Sequence, residues 1–416
     1  MRSLREYAIV TGAYWVFTVT DGALRMLVLL YLHGVGYTPI QIASMFLFYE
    51  FFGVVTNLVG GWLGARIGLT STLFAGLALQ IVAVGAMTAP EAWLTVPFVM
   101  AAQGLSGIAK DLTKMSSKSY VKLVVKQGDT ATLMKWVSVL TGSKNTLKGV
   151  GFFVGAALLA LVGFRAACGG MVAVLALALV LSVILLPWGA GRSKAKPKFS
   201  SMLSQDPRIN WLSAARFFLF GSRDVWFVLA LPIFLGASLG WSTYQVGAFL
   251  AAWVIGYGFV QTAAPRFTGA RDAQGARAAP DAGRLAGWTG LLLLPLGALV
   301  AALLLDAPPG PSLIIGLALF GVVFAANSAV HSYLVVHYAE EGRVSLAVGF
   351  YYMANAAGRL MGTVLSGAVF QWGGEGKSGL VACLLTSIAL VAASRVLCAP
   401  LKRSEAASAS ASALPE

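Results

Sequence analysis

Eight charged side chains stand inside stretches that are otherwise apolar: Asp21, Arg25, Glu50, Lys144, Lys148, Arg223, Asp224 and Arg359. Each costs roughly 2.5–3.5 kcal/mol at the centre of a membrane helix on insertion scales. Unrelieved, the set would cost on the order of 20 kcal/mol, more than the roughly 5–15 kcal/mol by which a domain is stable. These residues must therefore face one another or a water-filled cavity rather than lipid. The five cations outnumber the three carboxylates, and a multiply charged anion relieves such a surplus in a low-dielectric site. Arginine adds a planar fork that matches carboxylate and phosphate-like oxygens. The chemistry on offer is reversible capture of an organic or inorganic oxyanion. Arg25, Lys144, Lys148, Arg223 and Arg359 are its gripping set. Asp21, Glu50 and Asp224 balance them when the site is empty, and one can carry a coupling proton.

Simpler roles compete at each position. Asp21 and Arg25 are four residues apart and can satisfy each other on one helix. Arg223 and Asp224 are sequence neighbours on different faces, so each is expected to find its partner on another helix. Arg216 falls seven residues before Arg223, on nearly the same face. Lys144 and Lys148 share a face. Glu50 can be a protonated core carboxyl, a partner of Lys144 or Arg25, or a coupling site raised by burial. Lys110, Lys114 and Lys118 recur every four residues near the inner surface and read as a solvated or lipid-headgroup stripe, with a ligand site as the alternative. His331 can be a proton site or a hydrogen-bonded packing residue. Gly149, Gly151 and Gly155 allow close helix packing.

The elements that carry these charges follow from composition. The chain has 416 residues, 58% hydrophobic and only 11% charged, against about 25% charged in soluble domains. Its net charge is +14, but the basic residues fall between long apolar runs, so no nucleic-acid partner is expected. A membrane helix needs about 20 mostly apolar residues. Twelve such runs are legible, at roughly 8–33, 40–63, 72–90, 92–113, 134–160, 168–189, 211–236, 243–264, 286–305, 313–336, 345–371 and 378–398. Lysine and arginine concentrate in alternate connections, with only Arg165 and Lys377 in the others. By the positive-inside rule this predicts both termini in the cytoplasm and an inner, cytoplasmic membrane location.

The longest connection within the bundle divides the chain into 1–189 and 211–398, with a linker at 190–210 and a tail at 399–416. The tail and the segment 268–283 are low-complexity and read as solvated or disordered. The halves echo each other weakly, a feature of transporter folds: Asp21 lies opposite Asp224, Gln41 opposite Gln245, and Asn145 with Lys148 opposite Asn355 with Arg359. Helices 3, 6, 9 and 12 carry no charge in their apolar cores, which predicts two six-helix halves with those four helices on the outside. Three separated histidines and the absence of an acid-rich motif or a nucleophile with a nearby base leave no catalytic residue, metal site or cofactor to expect. Cys168, Cys383 and Cys398 are too scattered for a disulfide framework.

Gly61-Trp62-Leu63-Gly64-Ala65-Arg66-Ile67-Gly68 resembles the G-x-L-x-D-R-x-G loop between helices 2 and 3 of the major facilitator superfamily. The resemblance implies a gating role for Gly61, Arg66 and Gly68. Ala65 stands where the family has a latching acid, so a different latch is needed. The fold class expected is all-α and polytopic, with twelve transmembrane helices in two pseudo-symmetric halves. Longer strings, among them VTGAYWVFTVTDGALRMLVLLYLH (10–33), GLSGIAKDLTKMSSKSYVK (104–122), LTGSKNTLKGVGFFVG (140–155) and LSAARFFLFGSRDVWFV (212–228), resemble organoarsenical efflux permeases of the ArsJ type. That resemblance implies export of 1-arseno-3-phosphoglycerate, made by a glyceraldehyde-3-phosphate dehydrogenase partner, and hence arsenate resistance. The alternative is a transporter of another phosphorylated or carboxylated metabolite.

Overall fold

The computed structural model describes residues 4–37, 45, 47–126, 128–193, 204, 206–228, 230–241, 243–271, 277–340, 342–374 and 376–412. Arg2, Gln41, Lys194, Lys196 and Lys198 lie outside them.

Every expected apolar run contains a helix among the described residues. The elements are α1 (Leu4–Gly34), α2 (Leu47–Ile67), α3 (Leu69–Ala86), α4 (Val96–Val124), α5 (Thr130–Val162) and α6 (Phe164–Leu185). They continue with α7 (Pro207–Ser238), α8 (Thr243–Ala263), α9 (Ala282–Leu304), α10 (Pro309–Tyr338), α11 (Val344–Trp372) and α12 (Gly376–Ser412). Among the described residues, eight helices are long and apolar enough to cross a bilayer by composition. The other four, α1, α2, α4 and α11, carry Asp21, Arg25, Glu50, the α4 lysines and Arg359.

Local chemistry sets several boundaries. Asp206 caps α7 by accepting from the Arg208 amide at 2.8 Å, with Pro207 at the first helical position, where its missing N–H costs nothing. Asp281 caps α9 in the same way through the Arg284 amide at 2.8 Å. Gly68 makes the α2–α3 turn at φ +103°, and a Cβ there would come within 2.5 Å of the Gly189 backbone. Glycine alone tolerates both constraints.

Two low-complexity segments differ from expectation. Residues 270–271 and 277–278 pair as β1 (Ala270–Arg271) and β2 (Arg277–Ala278), antiparallel. The tail continues α12 to Ser412 instead of being disordered. Alanine is the strongest helix former, and Glu405 anchors the extension by accepting from the Ala282 amide at 3.0 Å and the Tyr338 hydroxyl at 2.7 Å.

The chain forms two compact units. The first comprises residues 1–129, 143–203 and 339–353; the second comprises 130–142, 204–338 and 354–416. Helices α5 and α11 thus contribute to both. The first unit buries Tyr14, Phe17, Leu24, Leu27, Tyr49 and Tyr120. The second is built around a web of rings including Phe220, Trp226, Trp253, Tyr257, Phe320 and Phe324. Large apolar side chains stay exposed on α6 (Leu177, Ile184), α9 (Leu294, Leu304) and α12 (Leu385, Val396), as lipid-facing surfaces require. Helix α3 is more enclosed, burying Leu69, Leu73, Leu77 and Gln80.

Candidate functional site: buried cations in each unit

In the first unit, α1 and α5 pack through glycine. A Cβ on Gly22 would sit 2.7 Å from the Lys148 carbonyl oxygen, and one on Gly151 would sit 2.5 Å from that of Val19. This sets the Lys148 turn against the residue next to Asp21. Asp21 is buried and accepts the Tyr49 hydroxyl of α2 at 2.8 and 2.9 Å. Arg25 lies 4.1 Å from the Tyr49 ring centroid and Lys110 of α4 lies 3.8 Å from it. Such cation–π contacts are worth about 2 kcal/mol when desolvated. Asp21 and Arg25 therefore meet around a shared tyrosine. Glu50 stands on α2, one residue beyond Tyr49; its side chain lies outside the described residues.

The lysines of α4 depart from expectation. Lys114 and Lys118 are only 6% and 4% exposed, so they form no solvated stripe. Lys114 pairs with Asp111 at 2.5 Å, and Lys110 approaches the same carboxylate at 3.9 Å. Tyr352 of α11 lies under both buried amines, at 4.6 and 4.7 Å from its ring centroid, and its hydroxyl oxygen accepts from Lys118. Lys144, half-buried on α5, is within electrostatic reach of Lys110, Lys114, Lys118 and Lys148.

In the second unit, glycine again brings the helices together. A Cβ on Gly358 of α11 would overlap the Phe217 carbonyl oxygen, and one on Gly362 would sit 2.9 Å from the Asp224 Cβ. At that separation Arg359 reaches Asp224, Nε to Oδ2 at 3.1 Å. Arg223 also binds Asp224, through Nη2 at 2.5 Å and Nε at 2.6 Å, both to Oδ1. The expectation that each finds its partner on another helix holds for Asp224, through Arg359, and is corrected for Arg223. The long guanidinium side chain bends back to its neighbour, while Arg359 is the cross-helix partner. Arg216, 3% exposed, donates to Asn355 Oδ1 at 2.8 Å and Ser328 Oγ at 2.9 Å, over the Phe220 ring at 3.9 Å. His331 is fully buried and feels the Arg216 charge. Asn327 donates to Thr289 and Gln261 to Tyr257, as packing residues do.

Of the predicted loop, Gly61 packs so closely on α11 that a Cβ would come within 2.5 Å of the Ser345 carbonyl oxygen. Ser345 Oγ donates to the Gly61 carbonyl, and Lys122 to that of Ala339. Ala65 is buried and its carbonyl accepts from the Ser193 amide at 2.8 Å. Arg66 is exposed, 5.0 Å from the Trp62 ring centroid. Cys168, Cys383 and Cys398 are free and buried, and no cluster of metal-ligating residues occurs among the described residues.

Tyr49, Tyr352 and Ser328 are the contributors that charge placement misses, because neutral residues do not stand out in an apolar run.

This fold is that of major facilitator transporters. It matches a bacterial homologue of the iron transporter ferroportin in an outward-facing state, with TM-score 0.73 and 15% identity over 96% of this chain and 100% of that one. It also matches the human organic anion transporter MFSD10, with TM-score 0.72 and 16% identity over 94% and 99%. The Escherichia coli fucose:proton symporter gives TM-score 0.72 and 12% identity over 95% and 99%. No family model and no curated protein matches the sequence. The chain shares the fold of these proteins and, with eight helices among the described residues long and apolar enough to cross a bilayer, is a multi-pass membrane protein.

Proposed function

We propose that the protein is an alternating-access exporter of an organic oxyanion, 1-arseno-3-phosphoglycerate, working beside a glyceraldehyde-3-phosphate dehydrogenase to give arsenate resistance. The observation that carries the oxyanion reading is the surplus of cations over carboxylates in the charge cluster of each unit. Asp224 is shared by Arg223 and Arg359, and Asp111 is shared by Lys110 and Lys114. An arriving anion completes these pairs. Arg25, Lys144, Lys148, Arg223 and Arg359 grip it, and Asp21, Glu50 and Asp224 hold the cations between cycles, one of them exchanging the coupling proton. The arseno ester is supported by the sequence resemblance and by the cysteines, which are buried singly and offer no clustered thiolates for trivalent arsenic. That MFSD10 is an organic anion transporter on this fold agrees with the substrate class. The inner membrane and cytoplasmic termini follow from the lysine and arginine bias.

The test is arsenate resistance in cells that supply the dehydrogenase. Arg223→Ala and Lys148→Ala should each abolish it, and resistance retained by both rejects the assigned site. Inverted vesicles that take up 3-phosphoglycerate as readily as its arseno ester favour the second reading, a carrier of an ordinary phosphorylated or carboxylated metabolite.

A further inference from the structure

The lysines of α4 form a feature that the gripping set does not include. We infer that Lys114, Lys118 and Lys144, with the Tyr352 hydroxyl, form a subsite for the doubly charged tetrahedral oxyanion group of the substrate, a phosphomonoester or its arsenate equivalent. The inference rests on the anion-transport reading and adds to it which part of the substrate the first unit holds.

Three observations converge. Lys114 and Lys118 are buried one helical turn apart, both against the Tyr352 ring. Lys144 adds a third ammonium within electrostatic reach of both. Helices α1, α2, α4 and α5 carry ten cations against four carboxylates, Glu6, Asp21, Glu50 and Asp111. The excess remains even if every carboxylate is paired. A monocarboxylate would neutralise only part of it, whereas a dianion neutralises more for the same desolvated volume.

The geometry also selects tetrahedral over planar. Lysine is a compact point charge with three rotatable donors and no fork, so converging lysines suit oxygens that point in different directions. Because the Tyr352 oxygen accepts from Lys118, its own O–H remains to donate to the ligand. Lys114 starts on Asp111 at 2.5 Å and exchanges that carboxylate for the anion, so binding need not strand a buried charge.

The experiment is calorimetric titration of the full-length protein in nanodiscs with inorganic phosphate, sulfate and glycerate as probes. Lys114→Gln and Lys118→Gln should each weaken phosphate binding tenfold or more, with glycerate binding held within threefold. Lys118→Arg keeps the charge and should bind phosphate within threefold of the parent, which separates a lost contact from a misfolded chain. Tyr352→Phe keeps the ring and should cost about threefold. Phosphate affinity should rise from pH 5.5 to 7.5 as the dianion of inorganic phosphate forms, while sulfate affinity stays level. Phosphate binding indifferent to both lysines, or level across that pH range, overturns the subsite. So does competition by phosphatidylglycerol in the disc that depends on Lys114 and Lys118, since the pair would then serve a lipid headgroup. Loss of arseno-ester export with lysine-dependent phosphate binding intact would reject the substrate and leave the subsite standing.

Discussion

The two units hold their buried charge by different chemistry. The first uses lysines stacked on tyrosine rings, with Asp111 as counter-ion and Asp21 accepting from the Tyr49 hydroxyl. The second uses guanidinium groups: Arg223 and Arg359 clamp Asp224, and Arg216 is fixed by Asn355 and Ser328. A guanidinium with several directed hydrogen bonds is rigidly placed, whereas an ammonium over a ring can rotate its donors without losing the contact. The difference teaches that the same surplus of positive charge is built once as a framed, oriented site and once as an adaptable one. The second unit is therefore the more sensitive to shape and the first to charge.

The sharpest way to break this comparison is to remove the one carboxylate of the second clamp. Asp224→Ala removes, at a 1% exposed position, the carboxylate that Arg223 and Arg359 share. Stripping one partner from a buried pair costs about 3–5 kcal/mol, so the variant should be poorly expressed and melt well below the parent in detergent. Asp21→Ala should cost less, because Tyr49 remains to cover Arg25 and Lys110. Equal losses at the two positions would show that tyrosine does not share the charge in the first unit.

Next in size is helix approach. Gly358→Leu must displace the Phe217 backbone and Gly151→Leu that of Val19, and overpacking typically costs about 1–3 kcal/mol, more where backbone must move. Both should lose thermal stability. Gly358→Leu should also lose substrate binding, since it drives Arg359 from Asp224. Thermal melts and anion titration on the same samples check both effects.

The contrast in chemistry also explains which features were legible in the sequence. The twelve helices were readable because hydrocarbon demands long apolar runs, and the charges within those runs stood out against them. Tyr49 and Tyr352 did not, since a tyrosine in an apolar helix is unremarkable until a cation is found over its ring. Lys114 and Lys118 were misread because lysines four apart near a loop look the same whether they face water or an aromatic neighbour. Only tertiary burial separates the two cases. Arg223 was assigned a distant partner from helical geometry at Cβ, which ignores the reach of its side chain. The Ala-rich tail shows the converse: low complexity suggested disorder, while helix propensity and one anchoring glutamate extended α12.

Charge-conserving exchanges sharpen the comparison further. Arg223→Lys keeps the charge but removes the fork that puts two nitrogens on Asp224 Oδ1, and should reduce transport about tenfold, the loss of roughly 1.4 kcal/mol. Lys118→Arg in the first unit should stay within threefold. Transport rates in the same proteoliposomes decide the matter; if both exchanges behave alike, the distinction between a framed and an adaptable site fails.

The smallest effect belongs to a charge pair outside either cluster. Asp306, 87% exposed and in the left-handed region at φ +57°, pairs with Lys377, whose charge and hydrogen bond hold the Asp306 carboxyl below its usual range. A carboxyl lowered on folding contributes stability above its unfolded pKa and loses it as the pH falls through the folded value. Any contribution is therefore present at neutral pH and vanishes in acid. At full exposure, water and salt screen the pair, unlike the buried clamp on Asp224. Lys377→Ala should accordingly leave the melting temperature unchanged from pH 7 down to pH 4, whereas Asp224→Ala is impaired throughout. A clear loss for Lys377→Ala at neutral pH that disappears on acidification would show that exposed pairs share the structural burden assigned to the buried ones.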